Sequence, residues 1–169
     1  QFSLNRKMYV AFIDFEKAFD SVSRKLLWPI LQKNGIRGKL YQCVKSMYNN
    51  VKAKVRSGSQ FTDYIMCTQG VKQGDACSPV LFSLFINELA WEIIAHGRYG
   101  ATLSPDIIEL FILLLADDIA LLSETPIGLQ TQLNNLYNAA SRLQLKVNMK
   151  KSNIVVFRKG GYLAERERW

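Results

Sequence analysis

The sequence predicts an α+β protein built on an antiparallel sheet with helices on one face. Apolar runs of strand length lie at residues 8–13, 110–116, 119–122 and 154–157, and longer periodic stretches between them predict helices. When a predicted β-hairpin at residues 51–67 is set aside as an insertion, the elements follow the order strand, helix, strand, strand, helix, strand. That order is typical of the split βαβ (ferredoxin-like) topology.

The first strand ends at an acid, Asp14, and the helices follow from capping residues and apolar periodicity. Gly35 stops the first helix, and Pro29 inside it predicts a kink or a break. Pro126 occupies the first position of the last helix. The helices are predicted at residues 21–34, 39–50, 80–96 and 126–143, with a connection at 98–106.

The inserted hairpin is predicted from alternation of apolar and basic residues around the turn at Gly58. Its basic residues fall on one face because side chains alternate along a strand. They are Lys52, Lys54 and Arg56.

Two adjacent acids, Asp117 and Asp118, lie between the apolar runs 110–116 and 119–122, at the turn of a predicted hairpin with buried arms. The pair is either ordinary turn chemistry or part of a metal site, because two carboxylates this close repel unless a cation joins them. In the split βαβ topology, the first strand would lie beside the strand that ends at Asp117. Asp14 would then supply a third carboxylate.

Such a cluster suits Mg²⁺, with Mn²⁺ as an alternative, since Mg²⁺ binds one or two carboxylates together with phosphate oxygens. Two ions about 3.5–4 Å apart can clamp the attacking and leaving oxygens of a phosphoryl transfer. The residues therefore predict nucleotidyl transfer.

The charge distribution is uneven. The net charge is +8, of which residues 1–60 carry +9 and residues 61–169 carry −1. This imbalance favours a polyanionic partner, the alternative being a solvated basic surface.

The cysteines and the hydropathy pattern indicate the cellular compartment in which the protein is expected. The chain has three cysteines and no CxxC pair, which favours reduced thiols and an intracellular location, in nucleus or cytoplasm. No apolar run reaches the roughly 18 residues of a membrane span, so no membrane association is expected.

Four segments resemble the motifs of a known family. FIDFEKAFD, GVKQGDACSP and LADDIALLS resemble the first three palm motifs of reverse transcriptases, and LQLKVNMKKSNIVVF resembles the fourth. The flanking residues are similar to the class encoded by non-LTR, LINE-like retrotransposons. The resemblance spans residues 8–158. It implies a palm with part of the fingers over residues 1–169, in which residues 21–70 form a fingers-like insertion and the N-terminal fingers and the thumb are absent.

The resemblance implies an RNA-directed DNA polymerase that uses an RNA template, a DNA primer and dNTPs, together with the remaining fingers and thumb of a full-length protein. The alternative is a catalytically inactive palm relic that binds nucleic acid or a protein partner. A group II intron-type polymerase is a further family-level alternative.

The resemblance also implies roles for residues near the acids. Asp14 and Asp117 would be the main metal ligands, with Asp118 supporting them. The backbone of Phe15 would contact the incoming triphosphate at the metal site. Phe19 matches the bulky position under the sugar that excludes a 2′-hydroxyl, although ring packing would also account for it.

Further roles follow from the second and fourth motifs and from the hairpin. Gln73 and Gly74 match the pair that lines the nucleotide pocket, or form an ordinary turn. Lys151 matches a lysine that can protonate the pyrophosphate leaving group, or is a surface lysine. The cations of the hairpin would contact the template backbone, or form a solvated face: Lys52, Lys54 and Arg56.

The chain departs from the family pattern at two places. Leu115 stands where the family usually has an aromatic residue that supports the primer end, and Ala76-Cys77 replaces the usual Pro-Leu. Both changes leave the proposed metal ligands in place.

Overall fold

The computed structural model describes residues 7–96, 99–104, 107–160, 162, 164–167 and 169. The chain divides into two compact units. The sheet unit comprises Gln1–Ala18 and Ile86–Trp169, and the hairpin unit comprises Phe19–Phe85.

The elements follow in chain order, and the last is a short 3₁₀ helix. They are β1 (Met8–Ile13), α1 (Ala18–Ser21), α2 (Arg24–Lys33), α3 (Gly38–Ser46), β2 (Lys52–Ala53), β3 (Arg56–Ser57), β4 (Gln60–Phe61), β5 (Ile65–Met66), α4 (Ser78–Ala95), β6 (Ala101–Ser104), β7 (Ile107–Leu110), β8 (Ile112–Leu115), β9 (Asp118–Ser123), α5 (Pro126–Arg142), β10 (Asn153–Phe157) and the 3₁₀ helix (Glu165–Glu167).

The sheet unit contains a four-stranded antiparallel sheet with the strand order β10-β1-β9-β8. The prediction that the first strand lies beside the strand ending at Asp117 is wrong, because β1 pairs with β9, which begins at Asp118. The burial of the two arms explains the difference. Most of β9 is buried and takes an inner position, whereas β8 alternates between half-buried and exposed residues and forms the edge.

The two faces of the sheet are covered differently. Helix α5 packs on β1 and β9, and Ile13 lines a groove of about 790 Å³ with Leu133 and Leu136 of that helix. On the opposite face, Val10 and Leu122 form a small core with Ala101 of β6. Because side chains alternate along β1, the position of Phe12 falls on this second face, and Phe12 is 45% exposed. One end of this face is therefore open to solvent.

The hairpin formed by β6 and β7 replaces the predicted connection at residues 98–106. The strands pair with the register Ala101↔Leu110 and Thr102↔Glu109, and Ala101 is fully buried. Residues 105 and 106 lie outside the described part. The apolar run 110–116 is consequently shared between β7 and β8, with Phe111 between them.

In the hairpin unit, α2 continues through Pro29 for all ten of its residues, so the predicted break does not occur. Gly35 follows in the left-handed region with φ +84°, as expected of a helix stop. The predicted hairpin at 51–67 is present as two short ladders, one pairing β2 with β5 and one pairing β3 with β4.

Helix α4 has the length and composition of a membrane span, which sequence inspection did not find. Core helices of soluble proteins can have the same length and composition, and α4 buries one of its sides fully. Its fully buried side chains are Phe82, Phe85, Leu89 and Ile93. Burial of that side is sufficient to account for the apolar character of the helix.

A buried carboxylate, that of Glu167, ties the C-terminal segment to the start of β1. It accepts hydrogen bonds from the Lys7 ammonium, from the Tyr9 hydroxyl at 2.6 Å and from the Ala164 backbone N–H at 2.8 Å. These bonds, that of Lys7 first, lower the pKa of Glu167 from 4.5 to about 2. Nearby, the Trp169 indole donates to the Gln130 side chain at 3.0 Å.

We expect this attachment to weaken as pH falls from 4.5 towards 2. A lowered folded-state pKa contributes stability above the unfolded pKa, and protonation removes it as pH falls through the folded value. Trp169 emission should shift to the red over this range, and Glu167→Gln should abolish the pH dependence. A Trp169→Phe variant gives the background from the other tryptophans. Identical titrations for Glu167→Gln and the parent would contradict the assignment.

Candidate active site

The side chains of Asp14, Asp118 and Lys151 line one cleft of about 390 Å³ in the sheet unit. Strand register explains why the two acids meet. The last pair of β1 and β9 is Ile13↔Ile119, so one further step sets Asp14 opposite Asp118, and residues directly opposite in a sheet share a face. Lys151 lies outside the ladder, in the turn between Asn148, which bonds to Asp14, and the start of β10 at Asn153.

Asp14 is held by the loop that precedes β10. Asn148 donates its side-chain N–H to Asp14 Oδ2 at 2.9 Å and its backbone N–H to Asp14 O at 2.8 Å. The Asp14 backbone N–H donates to Ser152 Oγ at 3.1 Å. A hydrogen bond to a charged group contributes about 1.5–3 kcal/mol, so Asn148 fixes the orientation of the carboxylate. Sequence analysis missed Asn148 and Ser152, although both lie in the segment that resembles the fourth motif.

Asp117 occupies a different position from Asp118. Leu115 pairs with Asp118, which leaves Ala116 and Asp117 as a two-residue turn with Ala116 at φ +54°. Asp117 is half-buried, and the residues that line the cleft include Asp118 but not Asp117. The acidic pair does lie at a hairpin turn, as predicted.

The three carboxylates do not converge as expected. Within the described residues, no group of three or more Asp, Glu, His or Cys side chains is placed to hold one metal ion. Asp117 belongs to the turn and Asp118 to β9, so only Asp118 lines the cleft with Asp14. The ligand roles of Asp14, Asp117 and Asp118 stay predictions.

Phe15 has a buried ring and a backbone bridge to Val147. The hydrogen bonds of that bridge are made by the flanking residues, Glu16 N–H to Lys146 O and Asn148 N–H to Asp14 O, both at 2.8 Å. The bridge therefore does not use the N–H or the C=O of Phe15.

The rim of the cleft is apolar on one side. Phe12 and Leu113 are about half exposed, and Leu115 is 77% exposed. Leu115 thus stands at the cleft with its side chain in solvent, in the position where the resemblance implies an aromatic residue. Lys151 is also exposed.

In the hairpin unit, Phe19 stacks on Phe82 with ring centroids 4.4 Å apart. This contact agrees with ring packing as the role of Phe19, but Phe19 is only half-buried, so its ring is compatible with either role. Gln73 Nε2 donates to Asp20 Oδ1 at 3.3 Å. Gly74 is exposed, with φ +82°.

Arg24 is a structural residue that sequence analysis did not identify. Its guanidinium donates to the carbonyl oxygens of Cys67 at 2.8 Å, Gly70 at 2.8 Å and Gln69 at 3.0 Å, and it lies over the Tyr48 ring at 5.0 Å. Burial lowers the pKa of the Arg24 guanidinium. Because Cys67 closes the inserted hairpin and Gly70 opens the loop to Gln73, one side chain anchors both segments.

Gly70 makes the closest backbone approach in this loop. Its N–H donates to Val22 O at 2.8 Å, and its φ is +82°. A Cβ atom added at Gly70 would lie 2.8 Å from the backbone oxygen of Asp20 and 2.9 Å from its Cα. Backbone atoms cannot move aside as the end of a flexible side chain can, so only glycine fits this position.

We expect Gly70→Ala to destabilise the chain by roughly 3 kcal/mol, since it adds a backbone clash to the cost of a left-handed conformation. Gly58→Ala is the matched control. Gly58 has φ +62° and open space where a Cβ atom would be added, so that variant should lose only about 1 kcal/mol. Urea unfolding measures both, and equal losses would mean that the loop adjusts at Gly70.

The basic residues of the hairpin lie against aromatic rings. The Lys54 ammonium is 4.1 Å and the Lys52 ammonium 5.7 Å from the centroid of Tyr64, and the Arg56 guanidinium is 5.8 Å from that of Phe61. All five side chains are exposed. The predicted basic face is therefore present, and it carries two rings that charge patterning did not reveal.

Comparison with known proteins agrees with the motifs and the fold. The family model described as reverse transcriptase (RNA-dependent DNA polymerase) matches residues 1–166. The chain therefore belongs to the reverse transcriptase family. Within this family it is a reverse transcriptase domain of the non-LTR retrotransposon type, which confirms the resemblance found in the motifs.

The relatives that place it there are long polyproteins. The chain is 34% identical over 160 residues to the Pol polyprotein of a type-1 retrotransposable element R2 from Popillia japonica, covering 92% of this chain and 22% of the polyprotein. It is 30% identical over 146 residues to that of the type-2 element R2DM from Drosophila melanogaster, covering 86% and 13%. The chain thus spans less than a quarter of the length of these relatives.

Solved structures support the fold. Apo telomerase from Candida tropicalis, truncated from its C-terminal domain, matches with a TM-score of 0.68 at 14% identity, over 93% of this chain and 32% of that one. Telomerase from the same organism in complex with a TWJ fragment of telomeric RNA matches with a TM-score of 0.66 at 13% identity, over 92% and 27%. At this identity the likeness concerns the mixed helical and antiparallel fold alone.

Proposed function

We propose that the protein containing this chain is an RNA-directed DNA polymerase that transfers nucleotides from dNTPs to a primer 3′-hydroxyl. The observation that carries the proposal is the cleft in which Asp14, Asp118 and Lys151 meet, in a chain of the reverse transcriptase family. An RNA template, a DNA primer and dNTPs are the proposed substrates.

The donor set of the cleft fits a hard divalent cation. Mg²⁺ binds through one or two carboxylates and completes its shell with water and substrate phosphates, so two carboxylates in the cleft suffice without a preformed cluster of three. Asp14 and Asp118 would hold Mg²⁺ or Mn²⁺, and Asp117 would join once cations offset the repulsion. The bound ions would neutralise charge on the attacking and leaving oxygens.

The remaining groups act through position and proton transfer. Asn148 keeps the Asp14 carboxylate oriented, and the backbone of Phe15 would contact the triphosphate. Lys151 stands at the same cleft and would donate a proton to the leaving pyrophosphate. Gln73 and Gly74 would line the nucleotide pocket.

We further propose that the sheet is a palm of the split βαβ (ferredoxin-like) type and that the segment 21–70 is a fingers-like insertion. The strand order β10-β1-β9-β8 supports the first proposal, and the separate unit Phe19–Phe85 supports the second. The cations of the insertion would contact the template backbone: Lys52, Lys54 and Arg56.

A second candidate is a catalytically inactive palm that binds nucleic acid or protein. The exposed Leu115 favours it, since the resemblance implies an aromatic residue there to support the primer end. The intact acids favour the polymerase.

Primer extension by a longer protein containing this chain tests the proposal. We expect dNTP-dependent extension on an RNA template with Mg²⁺, lost on addition of a chelator. Template binding without any extension, in Mg²⁺ or Mn²⁺, would favour the inactive palm.

Phe19→Ala in that protein is expected to relax discrimination against ribonucleotides, because a smaller side chain leaves room for a 2′-hydroxyl. Phe82→Leu is the matched control, since it disrupts the same ring stack while leaving Phe19 in place. The ratio of dNTP to rNTP incorporation should fall for Phe19→Ala and persist for Phe82→Leu. Unchanged selectivity in both would mean that Phe19 only packs.

A further inference from the structure

The inserted hairpin exposes an unusual amount of apolar surface. Every residue from 52 to 66 is exposed, and five large hydrophobic side chains among them have half or more of their surface in solvent. These are Val55, Phe61, Tyr64, Ile65 and Met66. Scattered exposed hydrophobic residues are common, but three of these side chains share one face of the hairpin with its basic residues, which indicates an interaction surface: Phe61, Tyr64 and Met66.

The charge around this surface identifies the kind of partner. The hairpin unit, Phe19–Phe85, holds ten Lys and Arg against three Asp, a formal balance of +7 in a chain whose total is +8. Within 51–67 the only acid is Asp63. A polyanion with apolar faces matches both properties, and an unpaired nucleic acid strand presents phosphates and open base faces together.

The hairpin is also a fixed element. Its inner ladder is closed by Cys67 N–H donating to Val51 O at 2.8 Å, and its centre by Thr62 N–H donating to Val55 O at 3.0 Å. Arg24 holds the Cys67 carbonyl from α2. The rings are therefore presented on an anchored strand pair, which reduces the entropic cost of ordering them on binding.

We propose that Tyr64 and Phe61 form a stacking platform for the bases of unpaired nucleic acid, with Lys52, Lys54 and Arg56 contacting the flanking phosphates. The ammonium groups now over Tyr64 do not prevent this. A cation over an exposed ring contributes less than a stacked base, so a bound strand replaces the cations on the ring and takes them up at its phosphates. The inference rests on the proposed function only in that the chain acts on nucleic acid.

Fluorescence anisotropy with the whole 169-residue chain tests the platform. Three fluorescein-labelled probes are compared at low salt: an oligodeoxythymidine of about 12 nucleotides, an abasic strand with the same number of phosphates, and a blunt duplex. Tyr64→Leu is expected to weaken binding of the oligodeoxythymidine about tenfold and of the other two less than about twofold. Tyr64→Phe, which keeps a ring, should bind like the parent.

Two further variants separate stacking from charge and from general effects. Lys54→Gln should weaken binding of all three probes alike. It should also make the slope of the logarithm of affinity against the logarithm of salt concentration shallower by about one unit. Tyr137→Leu alters a tyrosine that is 68% exposed on α5 in the sheet unit, and should change nothing. Thermal unfolding of each variant excludes loss of folding.

The outcomes separate this inference from the proposed function. If Tyr64→Leu lost affinity equally for all three probes, or for none of them, the stacking platform would be overturned while nucleic acid binding by the chain would stand. Absence of binding by the parent chain to every probe would count against nucleic acid as the partner altogether. Tyr64→Leu could also bind all three probes like the parent but self-associate less in sedimentation. That result would assign the surface to a protein contact and overturn the inference.

Discussion

Asp14→Asn in a longer protein containing this chain is expected to lower the rate of primer extension at least about a thousandfold, which corresponds to roughly 4 kcal/mol of transition-state stabilisation. The asparagine keeps the size of the side chain and can still meet Asn148, so the fold should persist. It removes the charge that a divalent cation requires in the cleft. The expected loss is in chemistry, with primer–template affinity nearly unchanged.

Glu16→Gln is the control for this experiment. Glu16 forms a surface salt bridge to Lys146 at 3.0 Å, and such pairs contribute about 0–1 kcal/mol. It lies two residues from Asp14 and is absent from the cleft lining, so extension should be retained. A loss of similar size in both variants would indicate a general effect of charge on this strand end and contradict a specific ligand role for Asp14.

The same assay separates Asp117 from Asp118. The family resemblance gives Asp117 the main ligand role, whereas the structure lines the cleft with Asp118. If Asp117→Asn is the more severe change, Asp117 moves towards the cleft when substrate and cations bind. The reverse order would mean that the arrangement seen here already contains the operative pair.

The sequence predicted those parts of the fold that local patterns specify. The strand Met8–Ile13 was predicted with its observed bounds because a short apolar run ends at a charged residue there. The start of α5 followed from Pro126. The neighbour of β1 was predicted wrongly, because the two arms of the acidic hairpin are both apolar and only their burial in the folded sheet distinguishes them.

The candidate site was predictable in its acids but not in their surroundings. Adjacent carboxylates between apolar arms are conspicuous, whereas Asn148 is a common loop residue that becomes informative only once β10 is paired with β1. The hairpin β6–β7 was missed for the same reason, since Ala101 has little strand propensity and is buried by tertiary packing. Likewise, the rings of Phe61 and Tyr64 indicate a binding surface only once the pairing of the hairpin strands places them beside the cations.

The 169-residue chain alone, given primer–template, dNTPs and Mg²⁺, is expected to bind nucleic acid but to extend the primer poorly or not at all. Catalysis of phosphoryl transfer is mostly positioning and electrostatic stabilisation. The chain spans 13–22% of the R2 polyproteins that it matches, and we expect the triphosphate and the duplex to need contacts from further segments of the full-length protein. The cleft itself would hold cations without holding the primer end in line.

Binding and catalysis should therefore separate. If the three hairpin cations neutralise three phosphates of a single strand, the logarithm of affinity should fall with a slope of about −2 against the logarithm of salt concentration. Affinity should then drop about fifteenfold between roughly 50 and 200 mM salt. Robust extension by the chain alone, abolished by Asp117→Asn, would show that the residues of this chain already suffice to position primer and nucleotide. Salt-independent binding would instead remove the phosphate contacts on which the role of the hairpin rests, because only ion pairs with phosphates release counterions in this way.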